Sequence, residues 1–149
     1  MAAVGLFSAL EVASSGLSVE RTRMNTIASN LANARTTRTD EGGPFRRLDP
    51  IFTATPLDTT GTPGFDDPTG RAISMAGIAG IHRDERDPVK VYDPGHPDAD
   101  EQGYVRYPNV NAVEEMVNMM AASRAYEVGV SSVETIKSLA TTALGIGRG

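Results

Sequence analysis

Leu6, Leu10, Ala13, Leu17, Met24, Ile27 and Leu31 succeed one another at alternating steps of four and three, with Glu20 in the single gap. Such spacing keeps side chains on one face of an α-helix, and it predicts one long N-terminal helix with a single apolar seam. Gly5 and Gly16 weaken it in isolation, each by up to about 1 kcal/mol against Ala, so the helix is expected to need a partner. Asn33 and the polar run 35–40 mark its end, with Asn33 suited to a left-handed cap.

A second long pattern opens at Asn111, an N-cap residue, with Glu114 three residues later. Val113, Met116, Met120, Tyr126, Val130, Val133, Ala140 and Leu144 supply its apolar side, and Glu114 and Glu115 lie where the helix dipole favours negative charge. Gly129 is a weak point within it, and Gly145, Gly147 and Gly149 end it.

Between these ends the pattern changes. All nine prolines fall from Pro44 to Pro108, where they break helices and favour turns and edge strands. Alternating β-branched and aromatic residues predict strands over 45–55, 71–83, 89–92 and 104–107. The stretch 55–70, TPLDTTGTPGFDDPTG, lacks the apolar content that would offset the cost of ordering and is expected to be a flexible loop. The resulting fold class is α+β: long N- and C-terminal α-helices forming a coiled-coil-like pair, with a small β-rich central module. The expected divisions are 1–39, 40–108 and 109–149.

A 30-residue helix is about 45 Å long, more than a small central module can cover. Part of each stripe must therefore meet other helices. Pattern alone leaves open whether they belong to the same monomer or to another copy. Aromatics make up only 5% of the chain and Trp is absent, a composition suited to helix seams rather than to a bulky globular core.

Charge and composition remove several function classes. A net charge of −5 argues against nucleic acid, which needs clustered cations; the one adjacent basic pair, Arg46 and Arg47, reads as solvated. Without cysteine there is no disulfide, cysteine-ligated zinc or thiol nucleophile. Glu11 interrupts the first apolar run and Arg21 is the first basic residue, so a cleaved secretory signal is not expected. No stretch approaches the roughly 18 apolar residues that span a bilayer.

The candidate chemistry is thin. His82 and His96 are the only histidines, and the acids of 93–100 around His96 read as turn chemistry. Asp98, Asp100, Gln102 and Gly103 imitate the start of a calcium loop, but its twelfth position is Asn109 and a strand follows. No serine sits in a Gly-x-Ser-x-Gly elbow, and Gly77 to Gly80 is not followed by Lys-Ser/Thr. Asp66, Asp67, Asp84 and Glu85 read as solvated faces. The expectation is no enzyme, with no catalytic, cofactor or metal site and no small-molecule substrate. A small secreted calcium- or metal-binding protein using 93–100, or a soluble helical regulator acting as an oligomer, are the competing classes.

At Ala28-Ser29-Asn30-Leu31-Ala32-Asn33 the chain resembles the N-terminal signature of the axial proteins of the bacterial flagellum, the rod and hook family. The stretches SSGLSVERTRMNTIASNLANARTTRTDEGGPFRR, VYDPGHPDADEQGYVRYPNVNAVEEMVNMMAASRAYEVGV and IGRG extend the resemblance, in particular to proximal-rod members. It implies a structural subunit that polymerises through its terminal helices into the periplasmic rod and transmits torque. The implied assembly seam sets Leu10, Leu17, Met24, Ile27 and Leu31 against Met116, Met120, Tyr126, Val130 and Val133. Within the motif residues Asn25, Ser29, Asn30, Leu31, Ala32 and Asn33, the asparagines would fix register. The implied partners are further copies, other rod proteins, the rod–ring junction protein, the inner-membrane ring and the type III export apparatus. Arg35, where the family commonly has Asn, and the long loop 55–70 are departures from the pattern.

Overall fold

The computed structural model describes residues 2–56 and 73–146. In chain order they form α1 (Ala2–Ala32), β1 (Leu48–Pro56), β2 (Ser74–Arg83), β3 (Val89–Tyr92), β4 (Tyr104–Tyr107) and α2 (Ala112–Ile146). The protein is α+β, with terminal helices on either side of a small β region in the chain. β1 pairs with β2, and β3 with β4, as separate two-stranded sheets. Among the described residues no helix is long and apolar enough to cross a membrane.

The helix ends follow local hydrogen bonding. After α1, the Asn33 backbone N–H and its side-chain Nδ2 both donate to the Ser29 carbonyl, at 3.1 and 2.9 Å. The Thr36 hydroxyl donates to Asn33 Oδ1. Asn33 thus terminates the helix by satisfying a free carbonyl. The left-handed conformation expected of it is not adopted, since no described residue other than glycine has a positive φ. That role passes to Gly42 and Gly43, whose φ values of 86° and 78° turn the chain back, so that Thr39 N–H donates to the Gly43 carbonyl. At the start of α2, Asn111 Oδ1 accepts from the N–H groups of Val113 and Glu114, at 3.1 and 3.4 Å, as an N-cap does.

β3 and β4 occupy the residues the alternation predicts and pair antiparallel, Val89 opposite Tyr107 and Tyr92 opposite Tyr104. β1 begins at Leu48 rather than Phe45, because Phe45 N–H is drawn into a turn by the Thr36 carbonyl at 3.0 Å. Thr55, where the expected strand and the expected loop meet, and Pro56, read as loop, belong to β1. The rest of that expected loop, 57–70, with Asp66 and Asp67, lies outside the described residues, as do Gly147 and Gly149.

The chain divides into two compact units: 1–21, 52–79 and 123–149 form the first, and 22–51 with 80–122 the second. In the first, Leu17 of α1 lies against Gly129 of α2. A Cβ placed on Gly129 would stand 2.8 Å from Leu17 Cδ2, so the glycine that weakens the helix locally is what lets the two helices approach. Ser15 Oγ of α1 accepts from the Ala76 N–H of β2 at 3.1 Å. An open apolar groove of about 660 Å³ runs beside these contacts, lined by Ala9, Val12, Ala13, Leu17, Ala125 and Val128 among others.

In the second unit Ile27 of α1, Val105 of β4 and Ala122 of α2 are buried. Together with Val19 in the first unit they are the buried aliphatic side chains among the described residues, and Pro108 of the second unit is buried as well. On α2 Glu115 and Ala122 are buried, and the half-buried positions 118, 119, 123, 126, 129, 130, 133, 136 and 140 continue the same face at helical spacing. Val113, Met116, Val117 and Met120 point away and are exposed, Val113 at 70% and Met120 at 56%.

Candidate functional site

The second unit closes on a polar cluster with two fully buried members. Asn30, near the end of α1, is 1% exposed, and so is Glu115, in the first turn of α2. Asn30 Nδ2 donates to Glu115 Oε2 at 3.1 Å and to the Leu48 carbonyl at 2.9 Å. Its Oδ1 accepts from Leu48 N–H, also at 2.9 Å. The Asn30 amide therefore meets both backbone groups of Leu48, as a neighbouring strand would at the start of β1. An amide is required for this, because it carries donor and acceptor side by side.

Glu115 receives a second, charged bond. Arg47 Nε donates to its Oε1 at 2.7 Å, and the Arg47 guanidinium also contacts the Asp49 carboxylate. Burial alone would lower the Arg47 pKa, but the hydrogen bond to Glu115 and the field of Asp49 outweigh it and raise the pKa above the ordinary arginine value. α1, the entry to β1 and α2 thus converge on one paired charge. Removing one member of such a pair typically costs about 3–5 kcal/mol, since the other is left buried and uncompensated.

Arg47 corrects the sequence reading. It is not a solvated member of a basic pair: its side chain is 17% exposed and held by two carboxylates. Its neighbour Arg46 is exposed and donates to the Asp84 carbonyl at 3.1 Å. Asp84 is no solvated face either. The Arg86 side chain and the Arg86 backbone N–H both donate to its carboxylate and lower its pKa to about 2, against the opposing effect of burial.

The motif and seam residues fall into distinct environments. Of the motif residues Asn25, Ser29, Asn30, Leu31, Ala32 and Asn33, Asn30 is the one that is buried. Ser29, Leu31 and Asn33 are half-buried, and Asn25 and Ala32 are exposed. On α1, Ile27 is buried while Leu10, Leu17 and Met24 are half-buried. On α2, Tyr126, Val130 and Val133 are half-buried, whereas Met116 and Met120 are exposed. Glu115 was legible only as a dipole partner; its place on the inward helical face, one turn before Met119 and two before Ala122, was the signal available.

The acidic stretch 93–104 folds on itself. Asp93 C=O accepts from His96 N–H, and His96 Nδ1 accepts from Asp98 N–H. Asp100 Oδ1 accepts from the N–H groups of Gln102 and Tyr104, and the Asp98 carboxylate accepts from the Thr37 hydroxyl at 2.7 Å. All but the Thr37–Asp98 bond are turn bonds, and together they use the Asp98 and Asp100 carboxylates and the His96 ring nitrogen that a cation would need. Among the described residues no group of three or more His, Cys, Asp or Glu is placed to hold a metal ion.

Comparison with known proteins places both halves of the buried cluster in matched regions. Residues 10–38, which contain Asn30, match the family described as flagella basal body rod protein. Residues 101–146, which contain Glu115, match the C-terminal family of the flagellar basal body rod FlgEFG proteins. Among similar proteins, the flagellar basal-body rod protein FlgC of Borreliella burgdorferi is 41% identical over 98% of this chain and its own full length. That of Aquifex aeolicus is 39% identical over 90% of this chain and 91% of its own. That of Salmonella typhimurium is 34% identical over 97% of this chain and its own full length. With such identity sustained from end to end across distant bacteria, the chain belongs to the FlgC family of flagellar basal-body rod proteins.

Proposed function

We propose that the chain is a structural subunit of the flagellar basal-body rod, built into it beside further rod proteins through surfaces its own fold leaves open. The observation that carries this reading is the apolar ridge of α2. Val113, Met116, Val117 and Met120 recur at one helical face, each more than half exposed, in a chain whose described residues bury so few apolar side chains of their own. Exposed apolar ridges of this kind mark protein interfaces.

In the finer reading, α1 and α2 pack as a coiled-coil-like pair. Leu10 and Leu17 face Tyr126, Val130 and Val133 in the first unit, Met24, Ile27 and Leu31 continue the α1 seam in the second, and Met116 and Met120 meet neighbouring subunits. Contact of Leu17 with Gly129 supports the pairing. The hydrogen bond of Asn30 to Glu115 supports a register role for Asn30, because a buried polar pair penalises every shifted alignment. The rod–ring junction and the inner-membrane ring are the further partners of this reading, the type III apparatus its route of export, and the periplasm its location. The mechanism is mechanical: many copies share torque across repeated modest contacts.

The test is deletion of the gene in its source bacterium, followed by swimming assays and electron microscopy of purified basal bodies. Rings without a rod, with swimming restored by the intact gene, are the expected result. Normal flagella in the deletion strain would overturn the reading.

A further inference from the structure

A ridge in the second unit and a groove in the first repeat one spacing. On the ridge, Val113, Met116, Val117 and Met120 follow one another at steps of three, one and three along α2, and each is more than half exposed. The groove is the open apolar one of about 660 Å³, and its α2 wall is Ala125, Val128, Gly129 and Ser132, again at steps of three, one and three. Val128 on that wall is 67% exposed. Seven residue steps span about 10 Å of helix, so ridge and wall match in length as well as in spacing. Rows of side chains spaced in this way are what interdigitate when helices pack.

The α1 side of the groove has room for side chains from outside. Gly16 lines it, and a Cβ built there would meet nothing within 4 Å. Among the described lining residues Glu20 alone is charged, and the four ridge side chains carry no charge, so an uncharged ridge meets a lining almost as free of charge.

We infer that the groove of one copy receives the α2 ridge of another copy of the same chain. The inference rests on the subunit reading above and names the surface that takes the ridge. Ridge and groove wall belong to one helix, with Met120 and Ala125 five residues apart, so a chain cannot seat its own ridge in its own groove. A second copy can, and a contact between two different surfaces joins copies head to tail rather than as a closed pair. Four such side chains cover on the order of a few hundred Å², well short of the roughly 1,000 Å² of a stable pair. The contact therefore holds in the polymer, where other contacts reinforce it, and not between two copies in dilute solution.

The test fills the groove from within. Gly16→Leu should fold and melt no lower than wild type, since its Cβ meets open space and Leu favours a helix more than Gly does. The same variant should fail to restore swimming to the deletion strain. A second measurement reads the contact itself and does not depend on that variant. The sequence has no cysteine, so Val117→Cys and Ala13→Cys chains with different tags are co-expressed in the deletion strain and their purified basal bodies treated with a bis-maleimide. A product carrying both tags is expected from the basal bodies and not from the same two chains mixed as dilute monomers. Normal swimming of Gly16→Leu overturns the pairing. So does a doubly tagged product from the dilute monomers, or its absence from the basal bodies, including where Val117→Cys is joined to a different protein. In any of these events restoration by the wild-type gene still upholds the rod reading, and failure of the wild-type gene strikes that reading itself.

Discussion

Asn30 and Leu48 are 18 residues apart in the chain and exchange two hydrogen bonds, both of 2.9 Å, between one side-chain amide and one backbone residue. The pairing lets the end of a helix act as the first rung of a strand. Asn30→Asp removes the donor to the Leu48 carbonyl and sets a second carboxylate against Glu115. The expected loss is about 3–5 kcal/mol, the scale of an unpaired buried charge. Asn30→Ala leaves groups unsatisfied without adding charge, for a smaller loss of about 1–3 kcal/mol. Urea unfolding of the purified chains checks the order.

Arg47 and Glu115 should behave as a unit. Arg47→Met strands the buried carboxylate and is expected to cost about 3–5 kcal/mol, whereas Arg47→Met with Glu115→Leu should recover most of that loss. A double-mutant cycle measures the coupling, and additive losses would refute it.

Gly129 and Leu17 form the close approach of the first unit. Gly129→Val is expected to destabilise by about 1–3 kcal/mol through overpacking. Leu17→Ala in the same chain should relieve part of the clash. Thermal melts of the single and double variants decide it, and equal melting temperatures for Gly129→Val and wild type would refute the close contact.

Acid should weaken the turn between β2 and β3. The Asp84 pKa is lowered from 3.8 to about 2, so the folded state binds its proton less readily than the unfolded chain. The stability this contributes is complete above about pH 4 and is lost as pH falls toward 2. Asp100 and Glu41 are lowered too, and act in the same direction. Asp84→Asn should flatten this part of the acid limb and lower stability by a constant, pH-independent amount above about pH 5.

Met120 separates folding from assembly. It is 56% exposed on the outer ridge of α2, so Met120→Asp should leave the circular dichroism of the monomer unchanged. A charge buried in an interface is strongly unfavourable, and the same variant should fail to restore swimming to the deletion strain. Full restoration would remove Met120 from the interface.

Much of this was legible in the sequence where local rules suffice. The four-three spacing gave α1, Asn111 marked the start of α2, and alternation placed β3 and β4 on their residues. What escaped depends on contacts between distant segments. Arg47 reads as surface in its neighbourhood and becomes half-buried only because Glu115, 68 residues later, folds against it. Asn33 has the chemistry of a left-handed cap, yet its amide finds the Ser29 carbonyl first. Gly129 looks like a defect until Leu17 is set beside it. The spacing of α2 likewise names its apolar residues without saying which face turns inward, and Met116 and Met120 share the pattern but point outward.

The scarcity of buried apolar side chains among the described residues has a consequence for the life of a subunit. Burial on folding sets the heat-capacity change and the denaturant slope, so the solitary chain should melt over a broad range with a shallow transition. Neighbours that bind only the folded form add stability by mass action. Integrity then belongs to the polymer more than to the molecule, and a copy shed from it exposes itself to proteolysis rather than waiting intact to be used again.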